Sequence, residues 1–222
     1  TPSRFTEQLT GANAKRLILD RDNYYAMTGG HGGCRGCGEV TALRLIMAAN
    51  NALQGRARKE HIAEVEALIA KIEAKLSTLT DEGRIARLTS SLETINHHLF
   101  LLESGPTGEG PAAAVIANST GCSSVYSSTF PYNPYRDPWV NSLFQDAPAL
   151  AKGIYEGIAA DVLVNFRAMR IAELELDDSY DPAVHDKAFR TFGWENFTET
   201  ELGRLPTVFS IGGDGATYDI GF

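Results

Sequence analysis

Two stretches in the middle of the chain repeat apolar residues at helical spacing. Within 59–79 and again within 85–102, successive apolar positions are separated alternately by three and four residues. This a/d spacing, with charges on the other faces, predicts two helices whose apolar seams pack together. Because only a short polar segment separates them, we expect an antiparallel helical hairpin. The apolar positions are Ile62, Val65, Ile69, Ile72 and Leu76, then Ile85, Leu88, Leu92, Ile95, Leu99 and Leu102.

The flanking sequence alternates between predicted strands and helices. Apolar runs at 112–117 and 207–211 predict strands, and helical spacing predicts helices over 39–53 and 147–176, with a further one within 181–192. This alternation favours an α/β domain with a parallel sheet. We expect that domain to comprise 1–55 and 104–222, with the hairpin of 56–103 inserted into it.

Composition narrows the classes of protein that fit this fold. With 222 residues and 43% hydrophobic content, the chain can bury a core of its own. Its formal charge of −8 argues against a nucleic-acid partner, and no apolar run approaches the length of a membrane helix. The first residues resemble no signal peptide and lack Met, so we expect a cytoplasmic protein and a piece of a longer polypeptide.

Three cysteines carry the first candidate chemistry. Cys34 and Cys37 form a C-x-x-C pair among glycines, and Cys122 lies in a loop of glycine and hydroxyl residues. This pattern fits an iron–sulfur cluster, a structural zinc site or a redox dithiol, whereas Cys122 by itself would more often be an inert buried residue. Three thiolates leave one position of a four-ligand site unfilled, which the expected truncation would explain.

A glycine-rich turn follows the last predicted strand. Residues 212–215 read Gly-Gly-Asp-Gly, where glycines let the backbone approach a diphosphate and Asp214 can hold its divalent ion. A capped strand-to-helix turn is the simpler interpretation, and the spacing does not match the dinucleotide fingerprint. Since Cys122 and Asp214 each follow a predicted strand, their loops are expected to converge at one edge of the sheet.

The histidines are weaker candidates. Glycines flank His31, which predicts an exposed side chain. The pair His97 and His98 falls beside the a/d positions of the second hairpin helix, where a solvated face is expected rather than a metal site.

Four motifs occur in this order along the chain: Gly33-Cys-Arg-Gly-Cys-Gly-Glu39, Ala117-Asn-Ser-Thr-Gly-Cys-Ser-Ser124, Trp139-Val-Asn-Ser-Leu-Phe-Gln-Asp146 and Gly212-Gly-Asp-Gly-Ala-Thr-Tyr-Asp-Ile-Gly221. Together they resemble the C-terminal thiamine diphosphate domain of pyruvate:ferredoxin (flavodoxin) oxidoreductases. The resemblance covers roughly residues 28–50 and 112–222. The link between Cys37 and Cys122 is far longer than the family needs, and the hairpin accounts for most of the excess.

The resemblance implies a set of site residues. The three cysteines would ligate a [4Fe–4S] cluster whose fourth ligand lies elsewhere, and Glu39 and Cys122 would approach the thiamine cofactor. Asp214 would also bind Mg²⁺, with the other magnesium ligands outside this chain; no catalytic residue is assigned. The cluster ligands are Cys34, Cys37 and Cys122, and the diphosphate ligands are Gly213, Asp214, Gly215 and Ala216.

The activity that the resemblance implies is the coenzyme A-dependent oxidative decarboxylation of a 2-oxoacid, with pyruvate as the expected substrate. The expected partners are the remaining domains of the enzyme, ferredoxin or flavodoxin, and a second copy in a homo-oligomer. Two alternatives stay open. One is a structural zinc or cluster-bearing interaction module, and the other is a non-redox thiamine-dependent decarboxylase.

Overall fold

The structure, a computed structural model, describes residues 33–34, 36–126, 136–142 and 146–213. They form two compact units: unit 1 comprises the described residues of 1–55, 112–154 and 206–222, and unit 2 comprises 56–111 and 155–205. In chain order the elements are α1 (Gly38–Leu76), α2 (Glu82–Glu103), β1 (Ala114–Ser119), α3 (Cys122–Tyr126), β2 (Trp139–Ser142), α4 (Ala147–Leu176), α5 (Pro182–Arg190), a 3₁₀ turn (Trp194–Asn196), α6 (Glu199–Leu202) and β3 (Thr207–Ile211).

Unit 1 contains a three-stranded parallel sheet in the order β2-β1-β3. Its core lies between the sheet and the first part of α1, because alternate residues of β1 share one face and apolar residues recur at helical spacing along α1. The predicted α/β class with a parallel sheet is confirmed. The buried core residues of unit 1 are Val40, Leu43, Met47, Ala114, Ile116 and Tyr126.

The first helix is longer than the sequence predicts. Helices were expected over 39–53 and 59–79, with a break between them, and α1 instead runs without interruption from Gly38 to Leu76. Two polar side chains of α1 close to the expected break hydrogen-bond to other segments of unit 1. Asn50 Nδ2 donates to the carbonyl of Ala113 at 3.0 Å, and Gln54 Nε2 donates to Thr207 Oγ1 at 3.1 Å.

Unit 2 is built around the predicted apolar seams. The two hairpin helices share one core with the C-terminal part of α4, which contributes Ala168 and Ala172. A second core in the same unit gathers aromatic side chains around Phe166 and Phe197, whose rings meet edge to face at 5.0 Å. That residues 56–103 are an insertion relative to the family stays a prediction. The buried hairpin residues are Val65, Leu68, Ile72, Leu88 and Ile95.

Strand β2 was missed in the sequence because it has four residues and directly follows Pro138. It is fixed at its start by Asp137, whose carboxylate accepts from the backbone N–H of Ala114 at 2.9 Å. Burial raises the pKa of Asp137, and this hydrogen bond opposes the rise. Among the described residues, no helix is both long and apolar enough to cross a membrane.

Candidate functional site at the strand ends of unit 1

The carboxyl ends of the three strands meet at one edge of the sheet, because all three run parallel. Two glycines lie in close contact there. A β-carbon on Gly121 would stand 3.2 Å from the backbone nitrogen of Gly213, so a larger residue at Gly121 would require the two loops to shift by a few tenths of an ångström. A β-carbon on Gly213 would meet no described residue within 4 Å. The loops after β1 and β3 therefore converge, as the sequence predicts.

A buried amide holds the loop after β1 in place. Asn118 is fully buried at the end of β1, and its Oδ1 accepts from Ser123 Oγ at 2.6 Å. Its Nδ2 donates to Ser124 Oγ at 3.0 Å and to Asn141 Oδ1 at 2.9 Å. Because both serines directly follow Cys122, this network fastens the start of α3 to the tips of β1 and β2.

The C-x-x-C segment forms a turn that leads into α1, as predicted. The backbone N–H of Cys37 donates to the carbonyl of Cys34 at 3.1 Å, and Gly36 between them has φ +75°. That left-handed conformation favours glycine. The carbonyl of Cys37 accepts from both the N–H and the hydroxyl of Thr41, at 3.2 and 2.9 Å. The turn is thus continuous with the helix hydrogen bonding.

A buried phenol connects the first turn of α1 with α3. Tyr126 is 3% exposed at the end of α3, and its hydroxyl donates to Glu39 Oε1 at 3.1 Å. Glu39 lies two residues after Cys37, and α3 begins at Cys122. This hydrogen bond therefore joins α1, which follows the turn of Cys34 and Cys37, to α3, which begins at Cys122.

All three cysteines are free thiols. Cys34 and Cys122 are exposed, and Cys37 is half-buried against the core of unit 1. Thiolates are the ligands that iron–sulfur clusters take, so the donor chemistry fits such a group. Within the described part of the chain, however, no three side chains of His, Cys, Asp or Glu are grouped as metal ligands would be. The cluster assignment of these cysteines stays a prediction.

The remaining predicted ligands lie at the limit of the described residues. Gly213 is the last residue described, and Asp214, Gly215 and Ala216 lie outside the described residues, as does His31. What the structure does describe is the entry to this turn: β3 ends at Ile211, and the next two glycines lie at the converging edge.

Several polar residues at this edge were not identified from the sequence. Asn118, Ser119, Tyr126 and Asn141 all lie at or beside the strand ends, and three of them are buried. The one available signal was the run of polar residues that directly follows the apolar residues of β1. The partners of these side chains lie on other elements, so local patterns do not predict them.

The histidine interpretation needs a correction in unit 2. His97 is exposed as expected, but His98 is 5% exposed and its Nε2 lies 3.0 Å from Nε2 of His61. The expectation of a solvated face was wrong for His98, because Phe166 and His61 pack against its ring. His61 is itself 3% exposed, so the pair is an interior hydrogen bond of unit 2.

Comparison with known proteins identifies relatives, although no family model and no solved structure matches the chain. It is 32% identical over 114 residues to pyruvate synthase subunit PorB of Methanosarcina barkeri. This alignment covers 51% of this chain and 25% of the relative. The PorB subunit of Pyrococcus horikoshii is 43% identical over 111 residues, or 50% of this chain and 21% of the relative.

A longer match extends over most of the chain. Pyruvate-flavodoxin oxidoreductase of Enterobacter agglomerans is 26% identical over an alignment of 265 positions, which covers 96% of this chain and 22% of the relative. The chain thus spans a quarter or less of the length of these curated relatives. Their names agree with the resemblance drawn from the four motifs, and the chain is similar to pyruvate synthase PorB subunits and to pyruvate-flavodoxin oxidoreductases.

Proposed function

We propose that this chain is part of a 2-oxoacid:ferredoxin or flavodoxin oxidoreductase, with pyruvate as its substrate and coenzyme A as the acyl acceptor. The observation that carries the proposal is the meeting of Gly121 and Gly213 at the strand ends, beside the start of the helix at Cys122. The names of the relatives add the reaction class. The active enzyme would also contain further domains or subunits.

Thiamine diphosphate and Mg²⁺ are the groups that this edge would hold. The residues fit on two counts: Gly121 and Gly213 bring two backbone segments together, and no described residue lies within 4 Å of the position that a β-carbon on Gly213 would take. Gly213, Asp214, Gly215 and Ala216 would bind the diphosphate, with Asp214 on the metal. When bound, the cofactor supplies the electron sink for loss of carbon dioxide.

The cysteines would serve electron transfer in the same enzyme. Cys34, Cys37 and Cys122 are proposed as three ligands of a [4Fe–4S] cluster, with the fourth from another segment of the enzyme. Other residues of this chain would hold the cysteine-bearing segments in position. Asn118 fixes the residues after Cys122 through its two serine partners, and Tyr126 holds the carboxylate of Glu39 near the first turn of α1.

The proposed partners follow from this role. They are the other domains of the same enzyme, a 2-oxoacid, coenzyme A, and ferredoxin or flavodoxin as electron acceptor, in a homo-oligomer in the cytoplasm. Neither a nucleic acid nor a membrane is among them, and the net charge of −8 agrees with the first exclusion.

The proposal is tested in the native assembly, purified without oxygen. We expect iron, sulfide and thiamine diphosphate in it, and pyruvate-dependent reduction of a viologen dye. Cys122→Ser should abolish dye reduction, because it removes a proposed cluster ligand. Val125→Ala is the matched control on the same short helix, since Val125 is 59% exposed, and it should leave the rate unchanged.

Three results would contradict the proposal. Unchanged dye reduction in Cys122→Ser would remove Cys122 from the electron path. Stoichiometric zinc without iron would favour the structural interaction module. Bound thiamine diphosphate without iron would favour a non-redox decarboxylase.

A further inference from the structure

One buried hydroxyl lies at the edge of the sheet where the loops after β1 and β3 converge. Ser119, the last residue of β1, is fully buried, and its Oγ makes no hydrogen bond to any residue that the structure describes. Buried polar atoms almost always have a partner, because an unpaired one loses its hydration without compensation. Such an exception is a candidate for a ligand contact.

The neighbouring hydroxyls differ from Ser119 because each has a partner. Thr120 Oγ1 donates to the carbonyl of Ser142 at 3.1 Å, and Ser142 Oγ donates to the carboxylate of Asp146. Ser123 Oγ donates to Asn118 as described above. Each of these neighbouring hydroxyls has a hydrogen-bond partner within the protein. The missing partner of Ser119 is therefore not a general property of this edge.

The register of the sheet places Ser119 beside the start of the glycine turn that follows β3. Asn118 pairs with Ile211 in the parallel ladder between β1 and β3, so Ser119 comes one position later, level with Gly212. Two residues further, Gly121 contacts Gly213. Ser119 therefore lies between the last strand pair and the closest approach of the two loops.

We propose that the hydroxyl of Ser119 donates a hydrogen bond to a phosphate oxygen of thiamine diphosphate. This inference rests on the proposed function and adds a residue to its diphosphate site. A buried hydroxyl beside glycine backbone suits this contact, because an O–H donor bonds more strongly to an anionic oxygen than to a neutral one. Binding of the ligand would also satisfy the one unpaired hydroxyl described at this edge.

The test compares Ser119→Ala with the wild type in the native assembly, after the cofactor has been removed with EDTA. Calorimetric titration with thiamine diphosphate and Mg²⁺ should show affinity weakened about tenfold or more, the usual effect of losing a hydrogen bond to a charged group. Titration with thiamine, which lacks the diphosphate, should give the same affinity for both proteins. Without ligand, Ser119→Ala should unfold at the same temperature as the wild type or a higher one.

Ser123→Ala is the matched control, because its hydroxyl already donates to Asn118 at 2.6 Å. It should lower the unfolding temperature of the ligand-free protein, which Ser119→Ala should not do. If the wild type binds thiamine diphosphate and Ser119→Ala binds it equally well, the inference is wrong and the proposed function stands. If the wild type binds no thiamine diphosphate at millimolar concentration, both are wrong.

Discussion

At the scale of single residues, the histidine pair of unit 2 shows how burial fixes a charge state. The Nε2 atoms of His61 and His98 are 3.0 Å apart and the ring centroids 5.2 Å, so the two nitrogens face each other almost head on. One nitrogen must donate and the other accept. Because His61 Nδ1 lies 3.4 Å from a carboxylate oxygen of Glu64, the arrangement favours His61 as the acceptor at Nε2.

This geometry allows at most one of the two rings to be charged, and burial favours two neutral rings. Burial lowers the pKa of His61, with Glu64 opposing the shift and Arg204 adding to it. Burial also lowers the pKa of His98 to about 4, and the neighbouring His61 and His97 contribute. If both rings were charged, two N–H groups would face each other in an apolar setting beside Phe166.

Stability should therefore depend on pH through His98. Its pKa is lower in the folded than in the unfolded protein, so its contribution is complete above about pH 6.5 and is lost as the pH falls toward 4. We expect the free energy of unfolding to drop by up to about 3 kcal/mol across this range. Urea unfolding at several pH values measures this change.

His98→Gln should flatten that pH dependence, because glutamine can still hydrogen-bond to His61 but does not titrate in this range. His97→Gln is the control, since His97 is the exposed neighbour. The interpretation fails if His98→Gln retains the full drop between pH 6.5 and 4.

At the scale of elements, an ion-paired side chain links α4 to α2. Glu175 is 1% exposed, and its carboxylate accepts from Arg84 Nε at 2.8 Å and from Arg87 Nε. Arg87 also stacks over the ring of Tyr180, with its guanidinium carbon 4.6 Å from the ring centroid. A buried carboxylate is stable only while such partners are in place, so these contacts hold α4 against α2.

Glu175→Leu should destabilise unit 2 by about 3 kcal/mol or more, because Arg84 and Arg87, both partly buried, lose the charge of the Glu175 carboxylate. Asp178→Asn is the control: Asp178 pairs with Lys75 and Arg84, but its side chain is 58% exposed and water replaces those contacts, while asparagine tolerates the φ of +56° at this position. Its effect should be much smaller. Thermal unfolding compares the two, and equal losses would show that burial does not decide the strength of these pairs.

The elements also show which part of the fold the sequence predicts. Periodicity identifies α4 over Ala147–Leu176 and β3 over Thr207–Ile211 with the bounds that the structure has, because both depend on local pattern. Strand β1 was expected two residues too early, since its polar end at Asn118 does not look like a strand. Continuity of α1 was missed because the partner of Asn50 lies 63 residues away.

The candidate site likewise has features that the sequence predicts and features that it does not. The turn between Cys34 and Cys37 and the convergence of two glycine loops follow from local spacing and from the parallel sheet, and both are found. The network of Asn118 and the hydrogen bond from Tyr126 to Glu39 depend on tertiary contacts. Residue type and spacing therefore locate such a site better than they identify its supporting side chains.

At the scale of the whole molecule, charge is distributed unevenly between the two units. Residues 56–111 and 155–205 hold 20 of the 28 acidic and 12 of the 20 basic residues, which accounts for the formal charge of −8. The remaining residues carry equal numbers of acidic and basic side chains. A partner that docked on unit 2 through charge would have to be basic, since an acidic surface would be repelled.

The cores of the units predict how the molecule responds to removal of the hairpin. Among the described residues, the core of unit 1 contains none from 56–111, and Asn50 bonds to Ala113 across the two ends of that segment. Replacing 56–111 by a short glycine–serine linker should therefore leave the sheet of unit 1 folded. Within 155–205, however, Ala168 and Ala172 lose the apolar surface against which they pack.

Hydrogen exchange of the deletion variant, read segment by segment, tests both statements. We expect amides of β1 and β3 to stay protected, because their ladder and the core beneath it are intact. Amides over 161–176 should exchange much faster than in the intact protein, since Glu175 is left without its arginines. Retained protection over 161–176 would mean that this stretch of α4 is stable without the hairpin, and loss over β1 would mean that unit 1 depends on it.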